Sequence, residues 1–491
     1  MKVNLYVVKI LSLMIFQTIP PSLDPSLQSL VLKHNNIKQI GSASFQFFPD
    51  LVTVDLSNNN LLWIQEKTFE EQRILINLDL SNNRLERITN LTFIGLESLE
   101  FLDLTQNHLT ELGNFSFEHL HKLKELKLSF NKISTIDVNA FSGLGHLANL
   151  NLGHNLLRRV ETSSFSLLSG LVKLHLDNNL IKTLPQGSFS YLHQLRELSI
   201  NDNPIEENGI TKYSFENMDQ LSLLSLQGLQ LTMIPEDIFK SVSSLNELLL
   251  DRNNIENIQE QSFADLSVLQ VLSLSHNPTL TKIHPGAFQH NRYLTKIDIS
   301  SNKALSALPR TLLVSLDRLT SLNVSHCSLT SLTLPPVTEW SSLDMTGNLW
   351  VCDCHMVSVL SVTESVTCHE PAGITLSQAN LTHCHDTPSR DKQSVTPSSP
   401  GDSVTTVVMV AVILITGLTL IGALGCRYRD SLRHVVTRLS RGKCGHASHG
   451  GVTDTQSWSL DTEQFIHISG ARLGTTHHIQ TPTRPIPVTE L

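Results

Sequence analysis

Four cysteines crowd one short stretch, Cys352, Cys354, Cys368 and Cys384, and His355, His369, His383 and His385 adjoin them. Two chemistries use such a set. Thiolates and imidazoles can close a tetrahedral zinc site, and an even set of cysteines in an oxidising compartment forms two disulfides. Neighbouring Cys-His pairs are awkward for a single tetrahedral ion, which favours disulfides, although the sequence leaves three pairings open. A second set is acidic: Asp55, Asp79 and Asp103 recur every 24 residues. Stacked in adjacent strands about 4.8 Å apart, they would form a negative ladder for a basic ligand or a cation. The plainer alternative is a solvated ladder in which water lowers the repulsion. Nucleophile motifs, phosphate loops and catalytic metal clusters are lacking from the sequence, so neither an enzyme nor a cofactor is expected.

A strict repeat must position these residues. The first leucine of each unit falls at Leu27, Leu51, Leu75, Leu99, Leu123, Leu147, Leu171, Leu195, Leu221, Leu245, Leu269, Leu294 and Leu319, and a shorter unit starts at Trp340. Each unit reads LxxLxLxxNxL, as in LINLDLSNNRL from Leu75, which is the leucine-rich-repeat pattern. The fold class expected is an α/β-type solenoid, a horseshoe of about 14 repeats over 21–347 with a parallel concave sheet. Asn holds the ninth position from Asn35 to Asn348 except at Leu229 and Cys327. A buried amide there needs backbone partners in its own and the adjoining coil. A column of Phe from Phe45 to Phe288 reads as a packing spine. The interval lengthens to 26 between Leu195 and Leu221; an ordinary loop insertion and a ligand-contacting kink are the alternatives.

Between the leucines, alternate strand residues face out. Besides the acids, the concave side should offer Leu223, Leu249 and Val271 beside Arg252, with Phe101 and Phe130 as aromatic anchors. A neighbouring loop covering the apolar residues is the competing reading.

The ends place the array relative to a membrane. Residues 404–425 are uncharged and mostly apolar, long enough to cross about 30 Å of hydrocarbon as a helix. Arg427, Arg429, Arg433, Arg438 and Arg441 follow, so positive-inside orientation puts the tail in the cytoplasm and the repeats outside, a type I plasma-membrane protein. The sequons at Asn90, Asn114, Asn323 and Asn380 all precede that span. Leu5–Phe16, within a signal-like segment 1–20, is expected to direct secretion despite Lys9. Seven Arg and one Lys against five acids leave 426–491 at +3, so 1–403 carries −12 of the net −9. An acidic outer part argues against nucleic acid. The tail, expected to be disordered, offers Cys426 for palmitoylation and ends in Thr489 and Leu491, a pattern read by PDZ domains.

Gly347-Asn348-Leu349-Trp350-Val351-Cys352-Asp353-Cys354 resembles the NPWxCDC opening of the carboxy-terminal cap on extracellular leucine-rich-repeat proteins, with Leu349 where Pro is usual. Repeats and cap together resemble single-pass leucine-rich-repeat receptors of animals, including Toll-receptor ectodomains. That resemblance implies a cap over 348–385, pairing of Cys352 with Cys368 and Cys354 with Cys384, and Cys327 as a substitute for the buried Asn. A stalk over 386–403 would join cap to membrane span. The usual amino-terminal cysteine cap is lacking, and the tail is too short for a Toll-type signalling domain. The function expected is recognition or adhesion of an extracellular or cell-surface protein through the concave face. The alternative is an auxiliary subunit acting on another membrane protein through the helix and tail.

Overall fold

The computed structural model describes residues 8–384 apart from 14, 15, 336–338, 364, 380, 382 and 383. Leucines at alternate positions force one three-residue strand per unit, and stacking buries what a single unit leaves exposed. Fifteen parallel strands form the main sheet, from Val8–Ile10 and Ser29–Val31 to Ser321–Asn323 and Ser342–Asp344. The fourteen strands from Ser29–Val31 onward belong to the expected repeats; Val8–Ile10, from the segment read as a signal, pairs beside Ser29–Val31.

Register keeps equivalent residues side by side. Asp55, Asp79, Asp103, Lys127, Asn151, His175 and Ser199 form one column, and Thr53, Asn77, Phe101, Glu125, Asn149, Lys173 and Glu197 the other. The strand-centre leucines between the columns, such as Leu78, Leu102 and Leu126, are buried.

Behind the strands, the α/β expectation is corrected. Each coil returns through turns, with 3-10 segments at Thr162–Phe165 and Lys240–Val242 and two-residue strands such as Thr135–Ile136. The α-helix among the described residues is Val357–Leu360, in the cap. A 24-residue coil that also carries a strand and two turns has little length for a helix.

The ninth-position amides cross-link the coils as expected. Asn107 is buried; its Nδ2 donates to Leu80 O and Leu104 O at 3.0 and 3.1 Å, and its Oδ1 accepts Leu85 N–H at 3.0 Å. Cys327 imitates this by donating Sγ–H to Ile299 O at 3.3 Å, and burial raises its thiol pKa. At Leu229 no amide is available, and Asn253 Oδ1 takes both Leu229 N–H and Leu231 N–H, at 3.0 and 3.1 Å. The Phe spine stacks from Phe93 through Phe165 and from Phe239 to Phe263, with centroids 6.0–6.3 Å apart.

Cys352 is joined to Cys368 and Cys354 to Cys384, the pairing that the cap resemblance implies. These bonds engage the thiols that a zinc ion would need, while His355 Nε2 lies 2.9 Å from Arg310. Among the described residues no helix is long and apolar enough to cross a membrane. Residues 404–425, Asn380, Cys426, Thr489 and Leu491 lie outside the described residues.

Candidate functional site

Strand geometry makes the floor of the site. Asp55, Asp79 and Asp103 are direct neighbours across three strands, as the 24-residue spacing requires. Each carboxylate first serves its own turn: Asp55 Oδ1 accepts Ser57 N–H and Oγ–H at 3.0 and 2.7 Å, Asp79 accepts Ser81 N–H at 2.9 Å, and Asp103 accepts Thr105 N–H at 2.8 Å. The three residues line a cleft of about 300 Å³ together with Thr53, Asn77, Phe101, Glu125 and Lys127. Burial, with lesser repulsion from Asp103 and Asp55, raises the Asp79 pKa against the pull of Ser81. Lys127 closes the ladder, with Nζ 3.8 Å from Asp103 and 3.3 Å from Glu125. Phe101 remains 40% exposed. An open negative floor with an aromatic wall can hold a cationic side chain by charge and by the ring face.

The next strands carry a network that the sequence reading missed. His175 Nδ1 lies 3.6 Å from Asp177 and its Nε2 lies 3.6 Å from Glu197, while Lys173 Nζ sits 2.5 Å from Glu197. The Asp177 hydrogen bond raises the His175 pKa, opposed by burial and helped by the charges of Asp177 and Glu197. Burial pushes Asp177 up, but bonds from His175, Ser199 Oγ and the Asn201 N–H at 2.9 Å outweigh it and hold Asp177 low. Asp177 therefore serves the following coil as well as His175 of its own. Asn201 does likewise, accepting Ser225 Oγ–H and Gln227 N–H at 2.8 Å, and Asp251 accepts from Ser273 Oγ and, at 2.7 Å, from Ser275 N–H. The available signal was a shift of the polar residue by two positions, from LDLS to LHLDNN and LSIND.

Three expectations are corrected. Leu223, Leu249 and Val271 do not join into an apolar patch: Leu223 and Val271 both pair with Glu247, and Leu249 stands in the other column between Ser225 and Ser273. All three are half-buried. Arg252 lies outside the strands and is already engaged, its Nη1 and Nη2 gripping Asp202 Oδ1 and Oδ2 at 2.9 and 3.1 Å. It reaches across Gly228, where a Cβ would lie 2.2 Å from Asp202 Oδ1. Phe130 is no concave anchor either; it sits in the left-handed turn after its strand, with its ring stacked on His154.

Asn90 and Asn114 are exposed, and Asn114 Nδ2 donates to Asp137 at 2.9 Å. Asn323 is half-buried on the concave strand, with its Nδ2 donating to Asp298 at 3.1 Å.

Comparisons with known proteins agree with the repeat fold. Residues 25–71, 49–109, 102–157 and 145–205 match a leucine rich repeat model, and 182–307 and 208–335 match a BspA type leucine rich repeat region. The chain is 32% identical over 143 residues to Transforming growth factor beta activator LRRC33 of Danio rerio, covering 28% of this chain and 20% of that protein. It is 30% identical over 167 residues to Toll-like receptor 5 of Homo sapiens, covering 31% and 19%. The aligned stretches thus span about a fifth of these relatives. Among solved structures, a TLR13–ssRNA13 complex matches with a TM-score of 0.62 and 29% identity over 70% of this chain and 55% of that one.

Proposed function

We propose that this leucine-rich-repeat solenoid, similar over its repeats to receptor ectodomains, is a cell-surface recognition receptor that binds a protein ligand on its concave face. The observation that carries this reading is the cleft where three register-paired carboxylates meet exposed Phe101. Such a surface suits a basic segment of a protein ligand: its cationic side chains meet the carboxylates, and one packs on the ring. The sequence of 404–425 supports a single membrane span with the repeats outside. Glycans on Asn90, Asn114, Asn323 and Asn380, palmitoylation at Cys426, and a PDZ partner for Thr489 and Leu491 belong to the same reading. Endoglycosidase mobility shifts, acyl-exchange labelling against Cys426→Ser, and a tail pull-down against Leu491→Ala check them in turn.

Coprecipitation from intact cells tests the central role. A surface partner captured by the full chain should be lost when 27–347 are removed. Retention by 404–491 alone would sink the recognition reading and favour the auxiliary subunit. N-terminal sequencing of the displayed protein shows whether the segment containing Val8–Ile10 is removed as a signal.

A further inference from the structure

The rim of the array carries a strip that concave binding does not use. In every repeat turn the residue before the ninth position adopts a positive φ, from His34 to His326. Asn58, Asn82, Asn178 and Asp202 fill that column in several turns, and short polar residues tolerate this conformation best. Phe130 holds it with φ 56°, the one wholly apolar side chain of the column among the described residues. It is 48% exposed and so gains little burial in return. Its ring stacks on His154 of the next turn, with centroids 3.9 Å apart and planes 10° apart. A costly backbone conformation spent on an exposed aromatic is the sort of outlier that marks a contact site.

Two residues further along the coil the anomaly continues. Leu156 and Leu180 are 43% and 37% exposed, in matching positions of successive turns where their N–H groups donate to Ile133 O and Leu157 O at 2.8 Å. Earlier turns place Asn36, Asn60, Arg84, His108 and Lys132 there. Phe130, His154, Leu156 and Leu180 thus make a strip across three turns, and contiguous exposed apolar surface marks interaction sites. Its flanks are basic: Lys132 and Arg158 are exposed and have no ion pair among the described residues, whereas Lys182 is paired with Glu206 at 2.9 Å.

We propose that this rim strip docks a protein partner whose surface presents apolar side chains flanked by carboxylates. Burial of Phe130, Leu156 and Leu180 would supply affinity, and the unpaired Lys132 and Arg158 would select acidic flanks. Single-stranded RNA would also stack on the Phe130–His154 pair. Two leucines with no stacking face, and two free cations where a backbone needs a continuous basic track, favour the protein.

The test displays the full chain on cells. The probes are a fluorescent streptavidin tetramer of a short peptide with Leu, Trp and Phe between Asp and Glu residues, the same peptide with Gln in place of the acids, and oligouridine. The acidic peptide should bind, and the neutral one at least about tenfold more weakly. Phe130→Asn with Leu156→Asn should lower acidic-peptide binding about tenfold or more. Asn suits the left-handed turn at 130 and occupies the matching positions 36 and 60, so surface display should persist. Lys132→Glu with Arg158→Glu, which leaves the apolar strip intact, should remove the preference for the acidic peptide. The proposal is overturned by absence of acidic-peptide binding, by equal binding to wild type and variants, or by oligouridine as the probe that the same substitutions abolish.

Discussion

The concave sheet contains two stretches built from nearly the same repeat, and they use their carboxylates oppositely. In the strands holding Asp55, Asp79 and Asp103, each carboxylate bonds within its own turn, and the three residues line an open floor. Between His175 and Ser275 the polar residue stands two positions later, and Asp177, Asn201 and Asp251 reach into the following coil. There they accept from buried Ser199 and Ser225, from half-buried Ser273, and from backbone N–H groups. A shift of two residues keeps the side chain on the same face of a strand but changes its partner from its own turn to its neighbour. One stretch keeps charge available for a ligand, and the other uses it to hold coils together.

Substitution should break this contrast most visibly at Asp177. Asp177→Ala strands Ser199 Oγ, Asn201 N–H and His175, and should cost about 3 kcal/mol. Asp55→Ala loses bonds within one exposed turn and should cost about 1 kcal/mol. Urea unfolding of both variants checks the difference, and equal losses would erase the distinction. Next, His175→Asn should cost about 1 kcal/mol after allowance for solvent screening, with a pH signature. The folded His175 pKa is raised, so its contribution is complete below about pH 6.5, the unfolded value, and disappears as pH rises through the higher folded value. A loss that grows with rising pH would contradict the pairing. Arg252→Ala, at a half-exposed bidentate pair, should cost about 1 kcal/mol or less and should leave binding by the acidic floor unchanged, sharpening the boundary between the stretches. The smallest effect is expected at Asp79→Asn, a gain of a few tenths of a kcal/mol at neutral pH. Because the folded Asp79 pKa is raised above its unfolded value, ionisation opposes folding at neutral pH. The penalty, and with it the gain, should fade as pH drops through the raised value. Thermal melts at neutral and acid pH compare the variants.

Much of this was readable because a repeat turns spacing into contact. The 24-residue interval places Asp55 beside Asp79, the ninth-position Asn predicts the amide ladder, and the Asn-to-Cys exchange at Cys327 keeps one donor in place. Side chains whose partners lie outside their own column were less legible. Arg252 is separated from Asp202 by 50 residues, and only the missing side chain at Gly228 lets it cross the intervening turn. Leu223 and Val271 looked contiguous because both face outward, yet register inserts Glu247 between them. Phe130 looked like a concave anchor because the strand's end could not be set to the residue, and one further position takes the backbone into the left-handed turn.

A glycan wedge tests whether a ligand sits on the acidic floor. Phe101→Asn with Asp103→Thr creates an Asn-Leu-Thr sequon in the cleft around Leu102 while keeping the buried leucine. Binding of the surface partner whose capture requires 27–347 is then measured on cells displaying wild type or the wedge variant, with occupancy of the new glycan read by mass spectrometry. An occupied wedge should abolish binding, and Asn90→Gln with Asn114→Gln should leave it intact. Undiminished binding with the wedge occupied would contradict a ligand seated on the floor.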